Sequence, residues 1–150
     1  MGKRLNPIGM KDVADLIGRI LISVIFLVEA YDSLKYFQHT KSVMADYGIT
    51  WQPDLLLTAT IFILFLGGTL ILIGYRASTG AFLVLLYWIP VTFIVHSFWN
   101  DPPELQREES IDFMKNIAIM GGVIIIWVNG SGRYSIKRLF ATARVPRKDR

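Results

Sequence analysis

Glu29 and Asp32 stand three residues apart in an apolar stretch, which puts them on neighbouring positions of one side of a helix. Lys35 follows three residues later, and Tyr36 lies four after Asp32. A carboxylate at membrane depth is costly to leave bare, so it reads first as a functional group with a nearby partner. The expected partner is Lys115, flanked by Asp112 and Asn116, because the first helix rises toward the face from which the last one descends. Such a group has two uses: an ion-pair network that holds two helices in register, or a pocket that handles protons or a ligand. His96, in the string HSFW that also holds Trp99, adds a side chain able to donate a hydrogen bond or pass a proton near neutral pH. Its plainer use is a hydrogen bond at the membrane interface. These eight residues, Glu29, Asp32, Lys35, His96, Trp99, Asp112, Lys115 and Asn116, form the candidate polar pocket on the outer side.

Haem held by His39 and His96 has no signature behind it beyond two histidines, and no ligand spacing points to a metal. Pro90 interrupts a long apolar run, where it should bend the helix and free a carbonyl near Leu86. Tyr87, Trp88 and Thr92 surround that bend, and Tyr87 and Trp88 are placed to wall a flat apolar ligand such as a quinone. The pairs Gly67–Gly68 and Gly121–Gly122 suit close helix packing, since lipid gives helices no hydrophobic drive to associate.

Positioning these groups requires helices that cross a bilayer. A core about 30 Å thick takes roughly 20 apolar helical residues. Spans are expected near 16–37, 55–75, 79–99 and 109–129, the second and third resting on uncharged runs. The first is bracketed by Arg19 and Glu29, which should face protein or water. A cleaved signal peptide is the competing reading of the N-terminus, but EAYDSLKYF offers no small-residue cleavage pattern. A short interfacial helix near 40–47, stopped by Gly48, fills the only long connection. The fold expected is therefore all-α: one membrane-embedded four-helix bundle over residues 1–150, with a basic tail at 133–150.

Composition agrees with that class. The 150 residues are 53% hydrophobic and 19% charged, with no cysteine and a mean hydropathy of +0.43. Disorder, a disulfide scaffold and a thiolate metal site all need other compositions. The net charge of +4 is an orientation signal. Twelve Lys and Arg residues fall at the ends that include both termini, against four on the other side, and nine of the twelve acids fall with the four. Both termini are thus expected in the cytoplasm, the tail RYSIKRLFATARVPRKDR lying on anionic headgroups, with no nucleic-acid partner.

The Arg19-led helix ending in SLKYF, the stretch ADYGI, LGGTLILIG followed by YRAS, the helix end HSFW and the opening FMKNIAIMGG resemble the DoxX family over about residues 15–128. The resemblance implies a four-helix bundle in the bacterial inner membrane. It also implies an association with redox work, in thiosulfate oxidation with quinone as acceptor and in oxidoreductase assemblies of oxidative-stress defence. Of the motif positions, His96, Trp99, Lys115 and Asn116 carry over as candidates. Relatives commonly have a small glycine-containing turn where this chain has Glu29, Ala30, Tyr31 and Asp32, so a charged outer cavity is expected here in place of close packing.

Three functions follow as expectations. The first is an accessory or anchoring subunit of a larger respiratory or redox membrane complex, with protein partners and the lipid bilayer around it. The second is a quinone-linked oxidoreductase subunit, and the third a small-solute or proton carrier using Glu29 and Asp32. The charge asymmetry makes a direct prediction: alkaline phosphatase fused after residue 150 stays inactive, and the same reporter fused in the connection near residue 48 is active. Activity of the C-terminal fusion would reverse the orientation.

Overall fold

A computed structural model describes residues 9–132, 134 and 135, and within them the chain is a bundle of four long helices with one short helix across one end. Helix α1 is Met10–Lys35, α2 Phe37–Asp46, α3 Pro53–Ile73, α4 Ala77–Val95 and α5 Pro103–Asn129, with a single 3-10 turn at Phe98–Asn100 between α4 and α5. By length and composition α3, residues 77–100 and α5 can each cross a membrane. Helix α1, with 26 residues, spans about 39 Å at the helical rise, but its charges keep it out of that purely apolar class.

The helix ends move from their expected places for local reasons. Helix α1 begins at Met10, where the Asp12 carboxylate accepts the N–H of Gly9 at 3.2 Å. It ends at Lys35 because Tyr36 turns the backbone (φ −107°, ψ 37°) and α2 starts at once. Hydrogen bonding runs through the corner: Tyr36 N–H donates to Asp32 O and Thr40 N–H to Tyr36 O. Helix α5 begins six residues before the expected span, since Pro103 suits a first turn and Glu104 favours the dipole there. Its first turns are polar and exposed.

Consecutive long helices are neighbours: α1 packs on α3, α3 on α4 and α4 on α5, whereas α1 and α5 meet only briefly. The core runs along α3 and α4 through Leu64, Ile71, Ala81 and Val84, with Phe26 from α1 and Val123 from α5 fully covered. Phe26 and Trp88 meet edge to face at 5.1 Å. The α3–α4 crossing is set by Gly67 and Gly80: a Cβ on Gly67 would lie 2.9 Å from the Gly80 carbonyl, and one on Gly80 would lie 2.7 Å from that of Gly67. Gly68 faces Leu27 of α1 and Gly122 faces Ile22, whereas Gly121 has nothing within 4 Å of its Cβ direction.

One end of the bundle closes around Arg19, which is 1% exposed. Its Nε donates to Asp15 at 3.0 Å, one terminal nitrogen donates to the Ile71 carbonyl at 3.3 Å, and the other to the carbonyl of Tyr134. The Ile71 carbonyl belongs to the last turn of α3, where a cation complements the negative end of the helix dipole. Gly74 then ends α3 with φ +68°, and a Cβ there would lie 2.6 Å from the guanidinium. One side chain therefore joins α1, the end of α3 and the segment after α5. Removing it strands a half-covered carboxylate and the Tyr134 carbonyl and takes the second donor from the Ile71 carbonyl, which keeps the Gly74 N–H, so Arg19→Ala should cost about 3 kcal/mol. Arg19→Lys should recover only part of this, because an ammonium lacks the fork. Thermal unfolding in detergent checks both.

Candidate functional site

The opposite end is open. A cavity of about 460 Å³ lies beneath α2, between it and the facing sides of α3 and α4, a size typical of small-molecule sites. Helix α2 contributes Thr40, Val43 and Met44, and Ile49 follows from the loop. Helix α3 contributes Leu57, Thr60 and Ile63 among others, and α4 contributes Tyr87, Pro90, Val91 and Ile94. Among the described residues that line it, only Glu29 of α1 and His96 at the end of α4 can carry a full charge near neutral pH. Helix α2 covers this space because Val43 and Met44 turn toward it, and because Lys41 binds Asp54 at the start of α3 at 2.8 Å.

Pro90 has no N–H to give the Leu86 carbonyl, and both residues line the cavity, so the interrupted turn of α4 faces space in place of packed neighbours. Two residues further on, the Thr92 hydroxyl donates to the Trp88 carbonyl at 2.7 Å. His96 follows the last turn of α4 with φ −100°, ψ 40°, and its Nδ1 lies 3.0 Å from Glu109 Oε2 of α5. In the tautomer that this contact selects, Nδ1–H donates to the carboxylate and Nε2 is the ring's remaining polar atom. Phe98, Trp99 and Phe113 pack edge to face nearby, with centroids 5.2–5.7 Å apart, and fix the end of α4 against α5.

Glu29 is the one carboxylate among the described residues that line the cavity. Asp15, Asp54, Asp112 and Glu109 each face a basic side chain within 3.0 Å. Glu29 is half-buried, makes neither a hydrogen bond nor an ion pair with a described residue, and interacts only through space with Asp32, His96 and Tyr87. The surroundings are acidic. Tyr47, outside the spans, has its phenol pushed above the ordinary range, first by partial burial and then by Glu109, Asp101 and Asp46.

Of the polar-pocket and wall candidates singled out from the sequence, Glu29, Tyr87 and His96 meet at this cavity, beside the Pro90 bend. The others lie elsewhere. The expected link from Glu29 and Asp32 to Lys115 does not form: Lys115 binds Asp112 on its own helix at 2.7 Å, with its side chain 65% exposed, because α1 and α5 approach each other too little. Asp32 is exposed, and Lys35 sits 4.9 Å over the Tyr36 ring. Asn116 is half-buried on α5, and Trp99 belongs to the aromatic cluster. Trp88, expected as a wall, is instead 7% exposed in the core against Phe26, with its indole N–H unpaired. Among the described residues no group of three acids or histidines is placed to hold a metal. The basic tail at 133–150, apart from residues 134 and 135, lies outside the described residues.

Glu109 and the α2 wall escape sequence reading. Glu109 sits among the acids of the polar first two turns of α5, and only its placement beside α4 gives it a role.

Residues 14–97 match the DoxX family, a stretch that runs from α1 to the histidine at the end of α4. The chain is 30% identical to Inner membrane protein YqjF of Escherichia coli over 130 residues, 87% of this chain and 94% of that one. It is 26% identical to Inner membrane protein YphA of the same organism, over 82% of this chain and 87% of that one. A Surfeit locus protein 4 homolog of Schizosaccharomyces pombe matches 45% of this chain and 23% of its own length at 29% identity. No solved structure matches.

The geometry assigns a modest energy to the histidine pair, whose side chains are 25% and 30% exposed. A double-mutant cycle of His96→Gln and Glu109→Gln, read by thermal unfolding, should give a coupling of about 0.5–1 kcal/mol. A coupling of zero would show that the contact does not hold α4 to α5.

Proposed function

The chain belongs to the DoxX family, and from that premise we propose that it works in the bacterial inner membrane as a small accessory subunit whose own contribution is a site for a lipophilic molecule. The observation that carries this reading is the cavity under α2: almost wholly apolar, with Glu29, Tyr87 and His96 as polar points on its wall. An apolar pocket with a few convergent polar groups is the arrangement that holds and orients a small amphiphile. Helix α1 is the fourth crossing in this reading, with Arg19 and Glu29 turned toward protein and cavity. Both termini are cytoplasmic, and the basic tail rests on anionic headgroups.

A binding role suits the chemistry present. One free carboxylate and a histidine–carboxylate pair can seat a polar head and pass a proton, and protein partners in the membrane would supply the rest of any reaction. The apolar outer faces of α1 and α5, with Leu21, Val24 and Val28 on one and Ile125 and Val128 on the other, are available to lipid and to such partners.

A quinone as the ligand is the second reading, favoured by Tyr87 and His96 as hydrogen-bonding groups on the wall. The carrier reading rests on Glu29 alone, since Asp32 does not line the cavity.

The test is extraction and mass spectrometry of small molecules retained by the purified protein, beside a variant with the cavity filled, Thr60→Trp. Wild type should retain a lipophilic compound that the variant loses by at least tenfold while keeping its melting temperature. Equal retention by both proteins would overturn the site. A retained quinone lost on His96→Ala would select the second reading.

A further inference from the structure

Glu29 is the feature that the ligand reading leaves unexplained. The ionic contacts among the described residues are isolated pairs, and the buried cation Arg19 has an acceptor for each of its three nitrogens, one carboxylate and two carbonyls. This chain therefore satisfies charges where it buries them. Yet Glu29 faces a largely apolar cavity with no lysine, arginine or histidine within ion-pair distance among the described residues.

Among the described residues, no element around Glu29 supplies an uncommitted base. From α1 itself come Asp32, exposed, and Lys35, drawn onto the rings of Tyr31 and Tyr36. From α2 comes Lys41, committed to Asp54 of α3. From α4 come Tyr87 and His96, the latter held by Glu109 of α5. Among the described residues no lysine or arginine lines the cavity, and the other charge-bearing group there, His96, is already bonded to a second carboxylate, Glu109. A carboxylate so placed has two ways to be satisfied: a proton, or a cation that brings its own apolar body into the cavity.

We propose that the cavity binds a lipophilic cation, a protonated amine or quaternary ammonium carried on a ring-sized apolar body, with the charge seated against Glu29 and the Tyr87 ring. Three features fit this class together. The walls supplied by α2, α3 and α4 are apolar and enclose about 460 Å³, which suits the body. Glu29 supplies the countercharge, and the Tyr87 ring on the wall of the same cavity offers a cation a further attraction. Acids gather at this end of the bundle, with Asp46, Asp101 and Glu109 around Tyr47 just past α2, an arrangement that favours cations over anions. Protons and ligand compete for the same carboxylate, so acidification weakens binding.

This proposal rests on the reading of the cavity as a lipophilic site, and a pair of probes separates the two. Tetraphenylphosphonium and tetraphenylborate have nearly the same size and shape and opposite charge. Equilibrium dialysis of the detergent-solubilised full-length protein should show saturable binding of the phosphonium at least tenfold tighter than that of the borate. Glu29→Gln should abolish that preference, while Asp32→Asn, a change at an exposed position outside the cavity, should leave it intact. Binding of the phosphonium should weaken from pH 8 to pH 5 in the wild type and also in His96→Gln, which removes the other titratable lining residue, and it should not weaken in the double variant Glu29→Gln/His96→Gln.

Equal binding of both ions, unaffected by Glu29→Gln but lost in Thr60→Trp, would overturn the cation assignment and keep the lipophilic site. Saturable binding of neither would overturn both. A co-purified quinone that Glu29→Gln retains and the phosphonium fails to displace would also overturn the cation assignment.

Discussion

A guanidinium with no access to water governs this architecture. Arg19 costs several kcal/mol to desolvate unless every donor finds an acceptor, and the chain supplies acceptors from three places far apart in sequence. That demand brings the last turn of α3 against α1, and it brings the backbone at Tyr134 into the same knot. Glycines at the knot are part of the solution: a side chain on Gly74 would collide with the guanidinium, and one on Gly132 with the Asp15 carboxylate. The knot closes one end of the bundle. With that end fixed, the helices can stand apart under α2 at the other end and leave a cavity there.

The two ends thus treat buried charge in opposite ways. At the Arg19 end the charge is matched within the chain and the site is full. At the His96 end Glu29 is unmatched and the site has room. A bundle with weak contact between its first and last helices can tolerate that asymmetry, because the core through Leu64, Ile71 and Val84 runs along the α3–α4 pair and does not depend on the ring being closed all round.

Much of this was legible in the sequence. Uncharged runs announced α3 and α4, and the Gly67–Gly68 pair announced close approach, which the Gly67–Gly80 crossing realises. The expectation of inward-facing charges on the first helix was right for Arg19. What sequence could not give was choice of partner. Helical spacing tells which residues share a side of one helix, but not which helix lies across from it. Lys115 looked close to Glu29 on topology, and the packing order set α1 against α3. Glu109 was one acid among several until α5 was laid beside α4. Trp88 and Tyr87 are adjacent in sequence and point to different places, one into the core and one into the cavity, because neighbouring residues on a helix are about 100° apart.

The order in which acceptors reach Arg19 bears on how the protein is made. Asp15 is four residues behind it and already synthesised, but Ile71 comes 52 residues later and Tyr134 115 residues later. At roughly 5–20 residues per second the ribosome delivers that last carbonyl about 6–23 s after the arginine. For that interval the nascent first helix carries a cation whose final ligands do not yet exist, so it must wait near the headgroups or beside the insertion machinery. The α3–α4 hairpin, whose contacts are local, can form first. Arg19 then acts as the closing latch of biogenesis, and a chain that stops short of Tyr134 lacks the catch that holds it.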